Sequence, residues 1–271
     1  MYASAPRLLD TPTVGHRAAR WTPLVSVGRF WSSEGGGEEH ALDTVINLLV
    51  GGAYVLEHDR GREVVDPARV VFYRRGVPYR VQPVRQGRRE GLYLRLHPSL
   101  WPELHQAVGG PVDVRQHGVS AEAVVALHRL AGTAQDGDDD AFFERVVAAA
   151  EAVLAGPAER TSPGHAGAVR WVRAQLAADP GAPHRLVDLA DAVGLSRFQL
   201  ARAFRRSGGR SVSATRDAIR MGIAYDRVGR GQSLTDLALE LGYSSHAHFT
   251  ERFRRTFGVP PRAVGRRAPI R

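Results

Sequence analysis

The sequence predicts an α+β fold in two parts, an antiparallel β-rich N-terminal part and a basic, all-helical C-terminal part. Three observations predict it. Between Asp43 and Pro98, short apolar runs alternate with Gly, Pro and Asp turn signals. From Ser120 onward the apolar period becomes helical. Finally, one helix–glycine–serine–helix pattern is written twice, at 186–207 and 234–257, with Gly194 and Gly242 lying 48 residues apart.

Along the N-terminal part, Trp21 to Trp31 reads as one strand and Gly35 to His40 as a loop. DTVINLLVGG is an apolar strand closed by a glycine pair, and AYVLEHDRGREVVDP a hairpin turning at Asp59–Gly61. Val70–Tyr73 is a further strand, interrupted by Gly76 and Pro78. GLYLRLHP alternates, with Leu92, Leu94 and Leu96 on one face and Tyr93, Arg95 and His97 on the other. Such strands make a small antiparallel barrel or sandwich. AEAVVALHRL and AFFERVVAAAEAVLAG follow as helices, the second carrying Phe142, Val146, Ala149 and Val153 on one stripe.

The expected division is a first domain over 1–156 with helices in 120–156, a linker over 157–165 around AERTSPGH, and a second domain over 166–267. The second begins with a helix whose Val169, Val172 and Leu176 face inward, and Val212–Val228 joins the two repeated units.

Charge separates the parts. From Pro163 to Arg271 there are 19 arginines against 8 acids, net +11, whereas residues 1–162 are net −2. A basic domain beside a near-neutral one implies a polyanionic partner. All basic residues are arginine, for which base composition of the genome is explanation enough, but the split needs a separate reason. The chain has no cysteine, which excludes disulfides, zinc–thiolate sites and cysteine nucleophiles. No apolar run is long enough to span a membrane and no signal peptide is legible, so a cytoplasmic location is expected.

Each repeated unit opens with a short helix, stops at a glycine, and restarts at a serine suited to cap the next helix, Ser196 or Ser245. A helix–turn–helix places its second helix in the DNA major groove. In the first unit Leu200, Ala203 and Phe204 share the core side, while Phe198, Arg202, Arg205 and Arg206 fall opposite. Arg202 is placed for a base edge and Phe198 for a thymine methyl; a solvated face and a satellite core residue are their bland alternatives. In the second, Phe249, Phe253 and Phe257 form the core stripe, and Ala247, His248, Glu251 and Arg255 point away. Glu251 is suited to accept from cytosine, and Arg254 is assigned to the phosphate backbone. His246 falls on the apolar side, where capping or packing competes with base contact. His246 and His248 are two apart, the wrong spacing for a metal on one helix face.

LADAVGLS (189–196), LARAFRR (200–206), IRMGIA (219–224), LALELGYSS (237–245) and HFTERFRRTFGVPPRAV (248–264) together resemble the DNA-binding domain of the AraC/XylS transcription regulators. The resemblance implies seven helices, with two helix–turn–helix units on one connecting helix entering successive major grooves of double-stranded DNA. It implies base contacts at Arg197, Phe198, Ala201 and Arg202 and at His246, Ala247, His248 and Glu251. Phosphate contacts are expected at Arg205, Arg206, Arg254 and Arg255. Thr215 and Arg227 depart from the aromatic and leucine usual in that family. The N-terminal part is similar to the family's cupin-like β-barrel, most clearly over Val64–Val81.

Metal-binding cupins supply a His-x-His pair, which is missing here; His40 and His58 are isolated, and no metal or cofactor is expected. Tyr54, Tyr73, Tyr79 and Tyr93 are candidates for an effector pocket, or ordinary strand residues. The expected function is a non-enzymatic, sequence-specific transcription regulator, activator or repressor, with RNA polymerase as partner in the first case. Its N-terminal domain senses a small molecule, mediates self-association, or both; the helices at 121–130 and 141–155 serve a homodimer or pack within one chain. The rivals are a cupin-type metal enzyme tethered to a DNA-binding module and an architectural DNA binder of little sequence preference.

Overall fold

The computed structural model describes residues 14–33, 35–36, 38–59, 61–73, 75–85, 88–102, 117–156, 163–208 and 210–265. The strands are β1 (Val14–Trp21), β2 (Val25–Ser32), β3 (Glu38–His40), β4 (Thr44–Gly51), β5 (Tyr54–His58), β6 (Gly61–Val65), β7 (Arg69–Tyr73), β8 (Pro78–Pro83), β9 (Arg89–Leu96) and β10 (His117–Gly118). They form two sheets, ordered β1-β2-β9-β4-β7-β10 and β3-β8-β5-β6, in which the paired strands are antiparallel. This is the antiparallel β half of an α+β chain.

Two expectations are corrected. Trp21–Trp31 is not one strand: the chain turns at Thr22–Leu24, where Thr22 Oγ1 accepts from the Val25 amide at 2.9 Å, and β1 folds back on β2. Gly35–His40 is not all loop, because Glu38–His40 pairs with β8 and buries Glu39. Neither had a clear apolar alternation to announce it. The expected hairpin at Asp59–Gly61 is present as β5–β6. The linker expected at 157–165 lies outside the described residues except for the short 3-10 turn at Pro163–His165.

The larger sheet is buried on both faces, which explains the long apolar run of β4. Val45, Leu49, Val71, Tyr73 and Tyr93 face the smaller sheet and fill the space between the two. Ile46, Leu48, Leu92, Leu94 and Leu96 face the other way, into a second core shared with the helices. There lie α1 (Ala121–Gly132) and α2 (Asp139–Leu154), capped by Ser120 on the Ala123 amide (3.1 Å) and Asp138 on the Ala141 amide (2.9 Å). Phe142, Val146, Ala149 and Val153 are buried as their spacing requires.

The basic region comprises α3 (Ala166–Ala178), α4 (Leu186–Ala192), α5 (Arg197–Gly208), α6 (Val212–Gly229), α7 (Leu234–Glu240) and α8 (His246–Phe257), then a 3-10 turn at Pro261–Ala263. Its apolar residues are continuous with the core outside the larger sheet. At Gly222, α6 comes so near the β6–β7 turn that an added Cβ would lie 2.7 Å from the Pro67 carbonyl oxygen. Arg173 of α3 meets Asp66 of the same turn.

Candidate nucleic-acid interface

In the first repeated unit α4 ends at Gly194, whose φ of +67° is the left-handed turn a glycine adopts without a Cβ clash. Ser196 then starts α5 reciprocally: its Oγ accepts from the Gln199 amide (3.2 Å), and its own amide donates to Gln199 Oε1 (2.8 Å). Leu200, Ala203 and Phe204 go into the core. Arg197, Phe198, Arg202, Arg205 and Arg206 are exposed and Ala201 is half-buried. Phe198 is 80% exposed, so its ring lies bare on a face otherwise lined by guanidinium groups.

The second unit repeats the geometry. Gly242 has φ +72°, and Ser245 Oγ accepts from the His248 amide (3.1 Å) to start α8. Phe249 and Phe253 are wholly buried; Phe253 lies 4.7 Å, centroid to centroid, from half-buried Phe257 and stacks on Tyr225 of α6. Gly258 (φ +74°) ends the helix. Ala247, His248, Glu251, Arg254 and Arg255 are exposed, and His246 is half-buried with Nε2 3.5 Å from Thr250 Oγ1. His248 is held by Ser244, with Oγ to Nδ1 3.2 Å, and by an edge contact with Tyr243.

Glu251 is not a solitary acid on that face. Arg254 donates to it at 3.0 Å and Arg255 at 3.4 Å, and the hydrogen bond and charge of Arg254, then Arg255, hold its carboxyl below the ordinary range. The two arginines offset its negative charge on that face. Their i, i+3 and i, i+4 spacing was legible in the sequence.

What joins the units was not. Arg220 of α6 donates from Nε to the Pro180 carbonyl (2.6 Å) and from Nη2 to those of Gly181 (3.4 Å) and Ala182 (3.3 Å), with Nη1 3.5 Å from the Gly242 carbonyl oxygen. One guanidinium, lying over the Tyr243 ring, thus ties the segment leading into the first unit to the turn of the second. Burial lowers its pKa and pushes the Tyr243 phenol up to about 12, so at neutral pH the cation faces a neutral ring. Arg252, on the inner side of α8, donates to Asp217 of α6 at 2.6 Å. Of the two departures from the family pattern, Thr215 is buried with no hydrogen-bond partner for its hydroxyl among the described residues, and Arg227 reaches out to Glu240 at 2.5 Å.

The four candidate tyrosines are all buried. Tyr54 and Tyr73 share a hydroxyl–hydroxyl hydrogen bond, and with Tyr79 they line a space of about 30 Å³, the room of one water. Burial pushes all three phenols up, keeping them neutral. Tyr93 stands apart, against Ser26 (3.3 Å) and the edge of His16. His58 turns to Asp59 (3.4 Å) and Glu63 (3.7 Å). Among the described residues there is no group of three His, Cys, Asp or Glu arranged to hold a metal. A larger cavity, about 410 Å³, opens between β1, β2, β9, α1 and α6; Arg17, Arg29, Arg88 and Arg230 line it with Glu90, His128 and Asp226.

Residues 189–267 match the family model described as a helix-turn-helix domain. A probable AraC family transcriptional regulator from Rhodopseudomonas palustris CGA009 is 30% identical over 36% of this chain and 94% of its own (TM-score 0.34). The C-terminal domain is an AraC-type helix–turn–helix DNA-binding domain. Two further solved structures are similar to the chain. ToxT from Vibrio cholerae strain SCE256, solved with an unsaturated fatty acid bound, is 12% identical over 89% of this chain and 94% of its own (TM-score 0.35). A cupin superfamily protein from Desulfitobacterium hafniense DCB-2 is 18% identical over 36% of this chain and 84% of its own (TM-score 0.28). Within the AraC-type domain both second helices, α5 and α8, carry the exposed faces, and Arg220 and α6 set their relative position. No helix among the described residues is long and apolar enough to cross a membrane.

Proposed function

We propose that the chain is a sequence-specific transcription regulator whose AraC-type domain reads two base clusters on one face of a duplex. The observation that carries this reading is the Arg220 clamp, which makes one rigid frame of two units with outward faces of matching design. In the first, Arg197, Phe198, Ala201 and Arg202 address bases and Arg205 and Arg206 the phosphates. In the second, His246, Ala247, His248 and Glu251 address bases and Arg254 and Arg255 the phosphates. Arginine is bidentate to guanine, histidine donates to purine acceptors, and an exposed phenyl ring takes a thymine methyl.

The N-terminal domain acts as the sensing part. The interior around Tyr54, Tyr73 and Tyr79 has room for about one water, so an effector there would have to displace packed side chains. The cavity of about 410 Å³ beside α6 is of ligand size and touches the helix that carries both reading units. The apolar stripe of α2 is consumed inside the chain, so self-association through α1 and α2 would use their remaining faces.

Selection of bound sequences from a random duplex pool with the full-length chain tests the reading. A regulator enriches one motif, and its affinity for that motif falls steeply with salt. Equal retention of all sequences would make the chain an architectural binder instead.

A further inference from the structure

Asp226 lies in the last turn of α6, with its side chain 1% exposed. The N-terminal domain meets it twice. Arg29 of β2 pairs with Oδ1, and His128 of α1 sets Nε2 3.4 Å from the same oxygen. Arg230, just beyond α6, donates from Nε to Oδ2 at 2.8 Å and reaches Glu90 of β9 with Nη2 at 3.0 Å. The end of the connecting helix is therefore fastened to the larger sheet and to α1 through one buried carboxylate.

The hydrogen bonding of His128 makes this fastening proton-dependent. Its Nδ1 is 2.8 Å from the Val124 carbonyl oxygen, and a carbonyl only accepts, so Nδ1 carries a proton. A neutral ring in that tautomer would turn the Nε2 lone pair on the Asp226 carboxylate. Only the doubly protonated ring makes both contacts attractive. Other groups around the ring divide. Asp226 and Glu90 favour a cation there, and the Tyr225 ring makes an edge contact 5.1 Å away, centroid to centroid. Arg29 and Arg230 oppose it, as do Arg17 and Arg88 on the wall of the adjoining cavity. His128 and Asp226 both belong to the wall of the cavity of about 410 Å³.

We propose that His128 and Asp226 form a proton-operated latch between the N-terminal domain and the connecting helix of the DNA-binding domain. It is closed when both ring nitrogens carry protons and Asp226 is ionised, and it loosens when the Nε2 proton passes to solvent. His128 gains its partner only in the docked state, so the docking it contributes is present at lower pH and lost as pH rises through the docked ring's titration. Asp226 sets the other limit. Burial pushes its carboxyl up, but the His128 hydrogen bond and the charges of Arg29, His128 and Arg230 bring it below the ordinary range. Docking is thus lost on the acid side only as pH falls through that lowered range.

The test uses the full-length chain with neither DNA nor effector, so its outcome is independent of the regulatory reading. Nitrogen NMR of the His128 ring over a pH series should show both nitrogens protonated at its acid end and the Nε2 proton lost toward its alkaline end. Over the same range, hydrogen exchange of the α6 amides, corrected for intrinsic rates, should rise about tenfold or more. His128→Gln, whose amide donates at every pH, should abolish that rise. A ring already neutral at the lower pH, α6 protection that ignores the ring's titration, or a rise that persists in His128→Gln would overturn the proposal. Should His128→Gln fail to fold, the two wild-type measurements decide.

Discussion

Arg173 donates to Asp66 from both Nε (2.9 Å) and Nη2 (3.2 Å), and both side chains are buried. The pair pins α3, the first helix of the basic region, to the β6–β7 turn, where Asp66 Oδ1 also accepts from the Ala68 amide at 2.8 Å. Asp66→Ala leaves a buried guanidinium without its carboxylate and should cost about 3–5 kcal/mol in urea unfolding. Replacing both members by apolar residues of similar volume should recover much of that loss. Equal costs for the single and double replacements would show that the pair's charges are not the issue.

The two turn glycines have the same backbone conformation and different surroundings. A Cβ at Gly194 meets nothing within 4 Å, so Gly194→Ala should cost only the left-handed strain, about 1–2 kcal/mol. At Gly242 it would lie 2.2 Å from the Gly181 carbonyl oxygen, a backbone atom held by Arg220. Gly242→Ala should therefore cost about 1–3 kcal/mol more. Thermal unfolding of the two variants side by side checks the difference; equal losses would remove the close approach from the account.

Arg202 and Arg254 should behave differently on DNA. Arg202 is exposed with its face open, and Arg202→Ala should lose roughly 1–3 kcal/mol on the selected motif and relax preference at one base position. Arg254→Ala should weaken all sequences about equally through the lost phosphate contact. It also removes one of the two partners of Glu251, so the loss should be larger at low salt, where the acid repels phosphate most. Competition titrations of both variants at two salt concentrations separate these patterns; an unchanged sequence preference in Arg202→Ala would contradict the assignment of that face.

Much of the reading frame was legible because it is local. The glycine stops, the serine caps and the apolar stripes of α5 and α8 lie within one or two helical turns, where spacing dictates contact. The alternation of β9 was legible too, but not that both of its faces are covered, because helices far along the chain cover the side with Leu92, Leu94 and Leu96. Arg220 looks like any arginine on a helix; its four carbonyl partners come from two distant segments. Besides Arg230, Asp226 draws partners from β2 and α1, which no spacing along the chain brings together. The tyrosines were legible as strand residues, and their packing was not, since it depends on how two sheets meet.

Purified protein should carry no stoichiometric iron, zinc or manganese. His58, a strand histidine with acidic neighbours, faces Asp59 and Glu63, and no group of three His, Cys, Asp or Glu arranged to hold a metal occurs among the described residues. Elemental analysis checks this, and one metal per chain would bring back the tethered-enzyme reading.

The central claim is that one chain reads two base clusters through a fixed frame. The connecting helix has 18 residues, about 27 Å at about 1.5 Å per residue. Adding the width of the flanking helices, it spans the roughly 34 Å between successive major grooves on one face. The most direct measurement is the affinity of the full-length chain for its selected motif with about five base pairs, half a helical turn, inserted between the two clusters. The account predicts that the insertion abolishes joint contact and lowers affinity to that of one cluster alone. Affinity unchanged by the insertion would contradict it and would leave a single unit reading DNA.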